Sequence, residues 1–293
     1  MYTLLPYGGL RITGTDRIDF ITGQMTAHLK AATTPSRLPS LFLNVRGQIE
    51  FWAQTYRREK DLYIHLAAPA VSELKQRLER YIVFDQVAIE DLSFVLFSLH
   101  VTGADNALLE SLGYDMQQKE TQETEWNGQT LLISKIQRTQ NMGFDIHCLK
   151  EHSTALIDHL NTHGQTEMDW TSLQKARIEA GLPDPYEDGF LGQLPQECGM
   201  DWAVSYQKGC YIGQEIMARL DARGEARHRL VSLEGDIASH TDIFSEGKRV
   251  GKTGLCLSGQ ALAILRKDVP EGSFVEVAEK TAKVLGTHEH AQG

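Results

Sequence analysis

Lys208-Gly-Cys-Tyr-Ile-Gly-Gln-Glu215 is the most informative stretch of this 293-residue chain. Gly209 and Gly213 bracket Cys210 and Tyr211, so the backbone can bend tightly, present a small nucleophile and leave an aromatic ring beside it. Lys208 stands two positions before the thiol, where convergence of the two side chains would favour thiolate. Taken alone, the same residues fit a buried, inert cysteine in a glycine-rich turn that packs two domains.

Upstream, Thr171-Ser-Leu-Gln174 has the spacing of a capping box, and the helix it opens is expected to end at Gly181, with Pro183 blocking extension. Glu179 then falls on the last turn, the end of the helix dipole that disfavours a carboxylate, which suggests a binding task but also suits an ordinary surface glutamate. Downstream, Arg219, Arg223, Arg227 and Arg229 gather with His228. This cluster reads either as a cradle for an anionic ligand or acidic partner, or as a solvated connection neutralised by Asp221 and Glu225.

Beyond His228, short alternating runs separated by Gly, Pro and Ser (230–233, 249–257, 261–265, 274–277 and 282–285) predict a small β-barrel. Toward the N-terminus, a strand and a Gly-containing turn lead to a helix with Asp16 at its N-cap. Strands over 41–45, 49–56 and 62–66 form a meander. Pro69 opens a helix whose Val71, Leu74, Leu78 and Tyr81 share one face.

Strand-rich sequence over 87–101 precedes a short helix (104–113) and a Gln/Glu-rich exposed loop or edge hairpin (117–128). Strands over 130–136 and 144–149 and a helix over 153–163 follow. Strands and helices without a regular βαβ period point to α+β. The expected division is 1–225, holding two intertwined α+β subdomains, and 226–293, the barrel.

At 293 residues the chain exceeds one hydrophobic core, and 41% hydrophobic with 23% charged residues is ordinary globular composition. No run approaches the roughly 18 apolar residues of a membrane span, and the start lacks a leader pattern, so the expected location is the cytoplasm. A formal charge of −10 argues against broad nucleic-acid binding. Cys148, Cys198, Cys210 and Cys256 include no Cys-x-x-Cys pair, which argues against both a zinc ribbon and a disulfide framework and makes reduced thiols the default. His288 and His290 read as a solvated tail rather than a metal site.

The eight residues from Lys208 to Glu215 resemble the signature of the YgfZ family and of its mitochondrial relatives in iron–sulfur cluster assembly. The resemblance extends to Arg177-Ile-Glu-Ala-Gly-Leu-Pro-Asp184, Leu194-Pro-Gln-Glu197 and Ala218-Arg-Leu-Asp-Ala-Arg-Gly224, and more weakly to Thr13–Gln24. It implies a fold like the glycine-cleavage T-protein (aminomethyltransferase superfamily), with intertwined subdomains around a folate pocket and a barrel closing one side. It also implies tetrahydrofolate or a derivative as ligand. Glu179 matches the T-protein glutamate that binds the pterin; a carboxylate accepts two hydrogen bonds from the ring N–H and exocyclic amine. Arg223, in the family-like Ala-Arg-Gly, is the best candidate for the folate tail.

One departure bears on catalysis. T-proteins carry aspartates after the Gly-Gly of a hairpin, whereas Arg46-Gly-Gln-Ile-Glu-Phe-Trp52 puts Phe51 and Trp52 there. An aromatic ring neither holds an amine nor shuttles a proton, and Glu50 alternates to the opposite face. Whether the chain is an enzyme stays open, leaning against.

The expectation is therefore a folate-binding accessory protein for iron–sulfur cluster assembly or repair in client enzymes, affecting tRNA modification indirectly. Cys210 would be its reactive thiol. No stably bound metal, no direct nucleic-acid contact and no membrane are expected, because a lone thiolate cannot hold a cluster that takes four protein ligands. One rival is a one-carbon-transfer enzyme with Glu50, Asp85 or Glu215 as acid or base; another is a binding scaffold in which Cys210 only packs.

Overall fold

The structure, a computed structural model, describes residues 1–224 and 226–286, except for the side chain of Arg223. The described chain runs β1 (Tyr2–Leu4), β2 (Tyr7–Thr13), α1 (Arg17–Thr22), β3 (Ser36–Leu43), β4 (Ile49–Arg57), β5 (Leu62–Ala67), α2 (Val71–Glu79), β6 (Ala88–Asp91) and β7 (Leu96–Thr102). It continues with α3 (Asn106–Ser111), β8 (Thr121–Trp126), β9 (Gln129–Gln137), β10 (Met142–Leu149), α4 (Ser153–Thr162), α5 (Trp170–Glu179) and α6 (Gln214–Arg223). Six strands end it: β11 (His228–Gly235), β12 (Asp242–Ser245), β13 (Lys248–Leu257), β14 (Gln260–Arg266), β15 (Phe274–Val277) and β16 (Lys280–Gly286). The class is α+β, as the element pattern predicts.

Two compact units divide the chain, one holding residues 1–23, 28–39 and 53–173, the other 24–27, 40–52 and everything from 174 onward. The chain therefore enters the second unit twice before settling there at Gln174. Such passages put residues far apart in sequence into one core, which no local pattern reveals.

In the first unit an antiparallel sheet has the order β1-β7-β10-β9-β8. Leu131, Ile133, Phe144 and Ile146 from its strands bury against Leu108 and Leu109 of α3 and Leu156 and Leu160 of α4. Each such side chain contributes about 1.5–3 kcal/mol of burial. The Gln/Glu-rich segment is an edge hairpin: β8 pairs with β9 through Asn127-Gly128, both at positive φ, the turn that suits a two-residue connection.

A second sheet has the order β3-β4-β5-β2-β6. Val71, Leu74 and Leu78 of α2 are buried as their spacing predicts, but Tyr81 lies past the helix end and is 46% exposed. Asp16 occupies the N-cap of α1 without capping it; its carboxylate accepts the Gln86 N–H instead.

In the second unit the last six strands close into a barrel, β11-β14-β13-β12-β15-β16, with β16 returning to β11. Val231, Leu233, Ile243, Ala263, Val275 and Val284 fill its centre. Five of these strands match the sequence reading and β12 is additional. Helix α5 starts at Trp170, and Asp169 caps it by accepting the Ser172 N–H (2.9 Å) and hydroxyl (2.8 Å), so the cap lies two residues before the expected Thr171. Its end is as expected, with Gly181 at φ +73.

Candidate functional site

The Lys208–Glu215 segment is held at both ends and open in the middle. Lys208 is buried and its ammonium donates to the Met25 and Ala27 carbonyls at 2.5 and 3.1 Å, with the Tyr211 ring centroid 4.8 Å away. Burial lowers its pKa to about 8. The ammonium thus anchors the bend to the stretch around Met25 by filling carbonyls that would otherwise be buried without donors.

Gly213 fixes the other end. It has φ +86, and a Cβ there would lie 2.7 Å from the Asn44 carbonyl oxygen and 3.0 Å from Leu43 Cβ. Only glycine combines that dihedral with so close an approach to the β3–β4 hairpin. Gln214 begins α6, and Glu215 in its first turn pairs with Arg219 at 3.0 Å. Gly209 differs from Gly213: its φ is not in the left-handed region and nothing lies within 4 Å of a Cβ built there.

Between these anchors Cys210 is exposed, while Tyr211 is buried beside it and no hydrogen bond reaches its Oη. The other thiols differ. Cys148 and Cys198 are buried, Cys256 is half-buried, and burial raises all three pKa values, that of Cys148 to about 11. Cys210 is therefore the thiol available to a partner in solution.

Glu179 closes α5, exposed, with Lys175 at 3.7 Å one turn earlier. It lines a cleft of about 150 Å³ with Ile178, Ser232, Gln260 and Leu285. That volume is below the several hundred Å³ of pockets that swallow a drug-sized ligand, so the cleft suits the edge of a ring. Among the described contacts none joins Glu179 to the Cys210 segment. Arg177, the first residue of the same motif, turns inward and pairs with Asp188.

The basic cluster disperses. Arg219 goes to Glu215, Arg229 to Glu271 (3.0 Å), and His228 Nδ1 lies 2.7 Å from Glu197 Oε1. Among the described residues none of these partners is Asp221, one of the two expected from sequence proximity. The Arg223 side chain, Glu225 and the His288/His290 pair lie outside the described residues.

Phe51 is buried on β4; Trp52 beside it meets Trp202 edge-on at 5.8 Å, and the Trp52 backbone N–H donates to the Tyr186 hydroxyl at 3.1 Å. The strand presents aromatic packing at both positions. Glu50 is less buried than its neighbours Ile49 and Phe51, as alternation requires.

One polar cluster in the first unit escaped the sequence reading. His65, Asp145 and His147 are buried and bring one ligand-type atom each within 4.8 Å of one another. Asp145 and His147 are committed, whereas neither ring nitrogen of His65 has a hydrogen-bond partner. Asp145 accepts from His100 Nδ1 (2.9 Å) and from Arg138 Nε (2.9 Å) and Nη2 (2.7 Å), while His147 meets Ser98 Oγ (2.7 Å) and Tyr56 Oη (3.0 Å). A dication beside the Arg138 guanidinium would add unbalanced charge to a buried site, which disfavours a metal there. The signal for it, two histidines alternating with core residues on separate strands, is too common in sequence to single out.

Residues 4–208 match the GCVT N-terminal domain model, and the chain belongs to that family. Within it, the chain is similar to proteins named tRNA-modifying protein YgfZ: 26% identical to that of Yersinia enterocolitica over 94% of this chain and 86% of the relative, and 27% identical to that of Yersinia pestis with the same coverage. The fold is that of the glycine cleavage system aminomethyltransferase T from Bartonella henselae, with a TM-score of 0.84 over 98% of this chain and 84% of that one, at 18% identity. Among the described residues no helix is long and apolar enough to cross a membrane.

Proposed function

We propose that this chain is a tetrahydrofolate-binding accessory protein that supports assembly or repair of iron–sulfur clusters in client enzymes and so influences tRNA modification indirectly. The observation that carries the reading is the exposed Cys210 on a bend pinned by Lys208 and Gly213. A buried lysine and a left-handed glycine on one bend hold that thiol in place. The names of the Yersinia relatives, tRNA-modifying proteins, favour the same direction.

In this reading Glu179 accepts the N–H and amino groups of the pterin edge, and the folate tail runs toward Arg223. Folate supplies one-carbon chemistry where an acid or base stands beside it; with Phe51 and Trp52 at the T-protein acidic positions, binding without aminomethyl transfer is favoured. Cys210 engages a client sulfur or cluster transiently, since one thiolate cannot retain a cluster alone.

A tetrahydrofolate titration of wild type, Glu179→Ala and Cys210→Ala tests this, paired with a cluster-dependent client assay. Glu179→Ala should weaken binding at least tenfold, the worth of one charge-assisted hydrogen bond or more. Cys210→Ala should bind normally and fail to support the client. Equal affinity in Glu179→Ala, or full client support by Cys210→Ala, would refute the respective half.

A further inference from the structure

His159 and His163 stand four residues apart at the C-terminal end of α4, so their side chains meet on one face of the helix. Leu156 and Leu160 bury the inner face of α4; His159 is half-buried beside them and His163 is exposed. The two ring centroids are 4.3 Å apart with the planes tilted by 41°, and Trp126 of β8 meets His159 edge-on at 5.2 Å.

Hydrogen bonding fixes the tautomer of each ring. The Ser111 hydroxyl has one proton, and it is donated to the Leu108 carbonyl at 2.6 Å. The 2.8 Å bond between Ser111 Oγ and His159 Nε2 is therefore donated by the ring, which leaves the lone pair of neutral His159 on Nδ1. His163 Nδ1 lies 2.9 Å from the His159 carbonyl, an oxygen that can only accept, so Nδ1 carries the proton and Nε2 the lone pair. Among the described residues no hydrogen bond reaches His159 Nδ1 or His163 Nε2. Neither nitrogen is among the buried polar atoms that lack a partner, so both are open to solvent. Burial and the neighbouring His163 lower the His159 pKa, which keeps that ring neutral and its lone pair free.

A ring nitrogen that donates to a nearby oxygen, and so presents the other nitrogen as a lone pair, is the arrangement that orients histidines toward metals. With Zn–N bonds of about 2.0–2.1 Å, two imidazoles on one ion have ring centres about 4.5–5 Å apart, close to the 4.3 Å found here. The negative end of the α4 dipole lies at the same place and favours a cation. We propose that His159 Nδ1 and His163 Nε2 bind a first-row divalent transition-metal ion of the zinc, nickel and copper class, with water completing the coordination. Two protein ligands at the surface make this an exchangeable ion, unlike one sealed in the core. The buried His65, Asp145 and His147 differ in having the Arg138 guanidinium beside them. This inference is independent of the readings of Glu179 and Cys210.

Zinc titration of the full, tag-free chain tests it. The background is Cys210→Ala with His288→Ala and His290→Ala, which removes the exposed thiol and the terminal His-x-His pair as competing ligands. One Zn²⁺ per chain should bind saturably at submillimolar concentration and leave with a chelator. Mg²⁺ in large excess should not displace it, because imidazole suits zinc, nickel and copper rather than magnesium. His163→Ala, at an exposed position, should weaken binding at least about tenfold without lowering Tm. Long-range proton–nitrogen NMR spectra supply a readout independent of affinity: the metal-free protein should show the Nε2–H tautomer at His159 and the Nδ1–H tautomer at His163, and zinc should shift Nδ1 of the first and Nε2 of the second. No saturable zinc binding in this range would overturn the inference. So would displacement by Mg²⁺, an affinity unchanged in His163→Ala, or zinc shifts confined to other histidines.

Discussion

Arg177 grips Asp188 with two parallel buried bonds, Nη1 to Oδ2 at 2.8 Å and Nη2 to Oδ1 at 2.9 Å. The same guanidinium donates through Nε to Gln174 Oε1 and through Nη1 to the Leu182 carbonyl, and Asp188 Oδ2 also accepts the Asp184 N–H. Within Arg177-Ile-Glu-Ala-Gly181 the roles therefore separate: the arginine locks the end of α5 to the turn after it, and Glu179, two residues on, is left facing outward.

Arg177→Met should accordingly destabilise the protein by about 3–5 kcal/mol, because it strands the Asp188 carboxylate in the interior. Urea denaturation measures the loss. Asp188→Asn in the same background should recover part of it, since the uncompensated charge is then gone. Glu179→Ala, at an exposed site with a 3.7 Å surface ion pair, should stay within about 0.5 kcal/mol of wild type.

The two glycines of the Cys210 bend should behave oppositely. Gly213→Ala forces a Cβ to 2.7 Å from the Asn44 carbonyl at φ +86 and should cost at least about 1–3 kcal/mol. Gly209→Ala meets open space at an ordinary φ and should leave Tm unchanged or slightly raised. Thermal unfolding of the pair separates a bend held by geometry from one that is merely flexible.

How much of this was legible in sequence follows from how local each signal is. The glycine-bracketed Cys210, the helix stop at Gly181 and five barrel strands are written in neighbouring residues, and the structure has them. Strand β12 was missed because its four residues carry one buried apolar side chain, Ile243, while Phe244 points out, 37% exposed. Asp169 was missed as the cap of α5 because Thr171 and Gln174 offered a better-spaced motif two residues later. His228 pairs with Glu197, 31 positions away, a partner that sequence proximity does not offer.

Thiol reactivity should follow burial. In the native protein a maleimide or disulfide reagent should modify Cys210 first, Cys256 more slowly, and Cys148 and Cys198 only after unfolding, since burial both hides these sulfurs and opposes their ionisation. Mass mapping of the labelled sites against time checks the order. Cys210 unmodified while Cys256 reacts would contradict the exposure assigned to the bend.

The buried histidines predict an acid-sensitive fold. Burial lowers the His147 pKa to about 4, and those of His65 and His100 move the same way. Between pH 6.5 and 4 the unfolded chain holds a proton at this position that the folded chain refuses, so stability is full above about 6.5 and falls as the pH drops through that window. The contribution lost from His147 alone is roughly 3 kcal/mol. His147→Gln keeps an amide for Ser98 and Tyr56 but does not titrate. Its unfolding free energy, measured by urea at several pH values, should fall less steeply by up to one proton's worth, about 1.4 kcal/mol per pH unit. An unchanged slope would mean that His147 takes up its proton without unfolding.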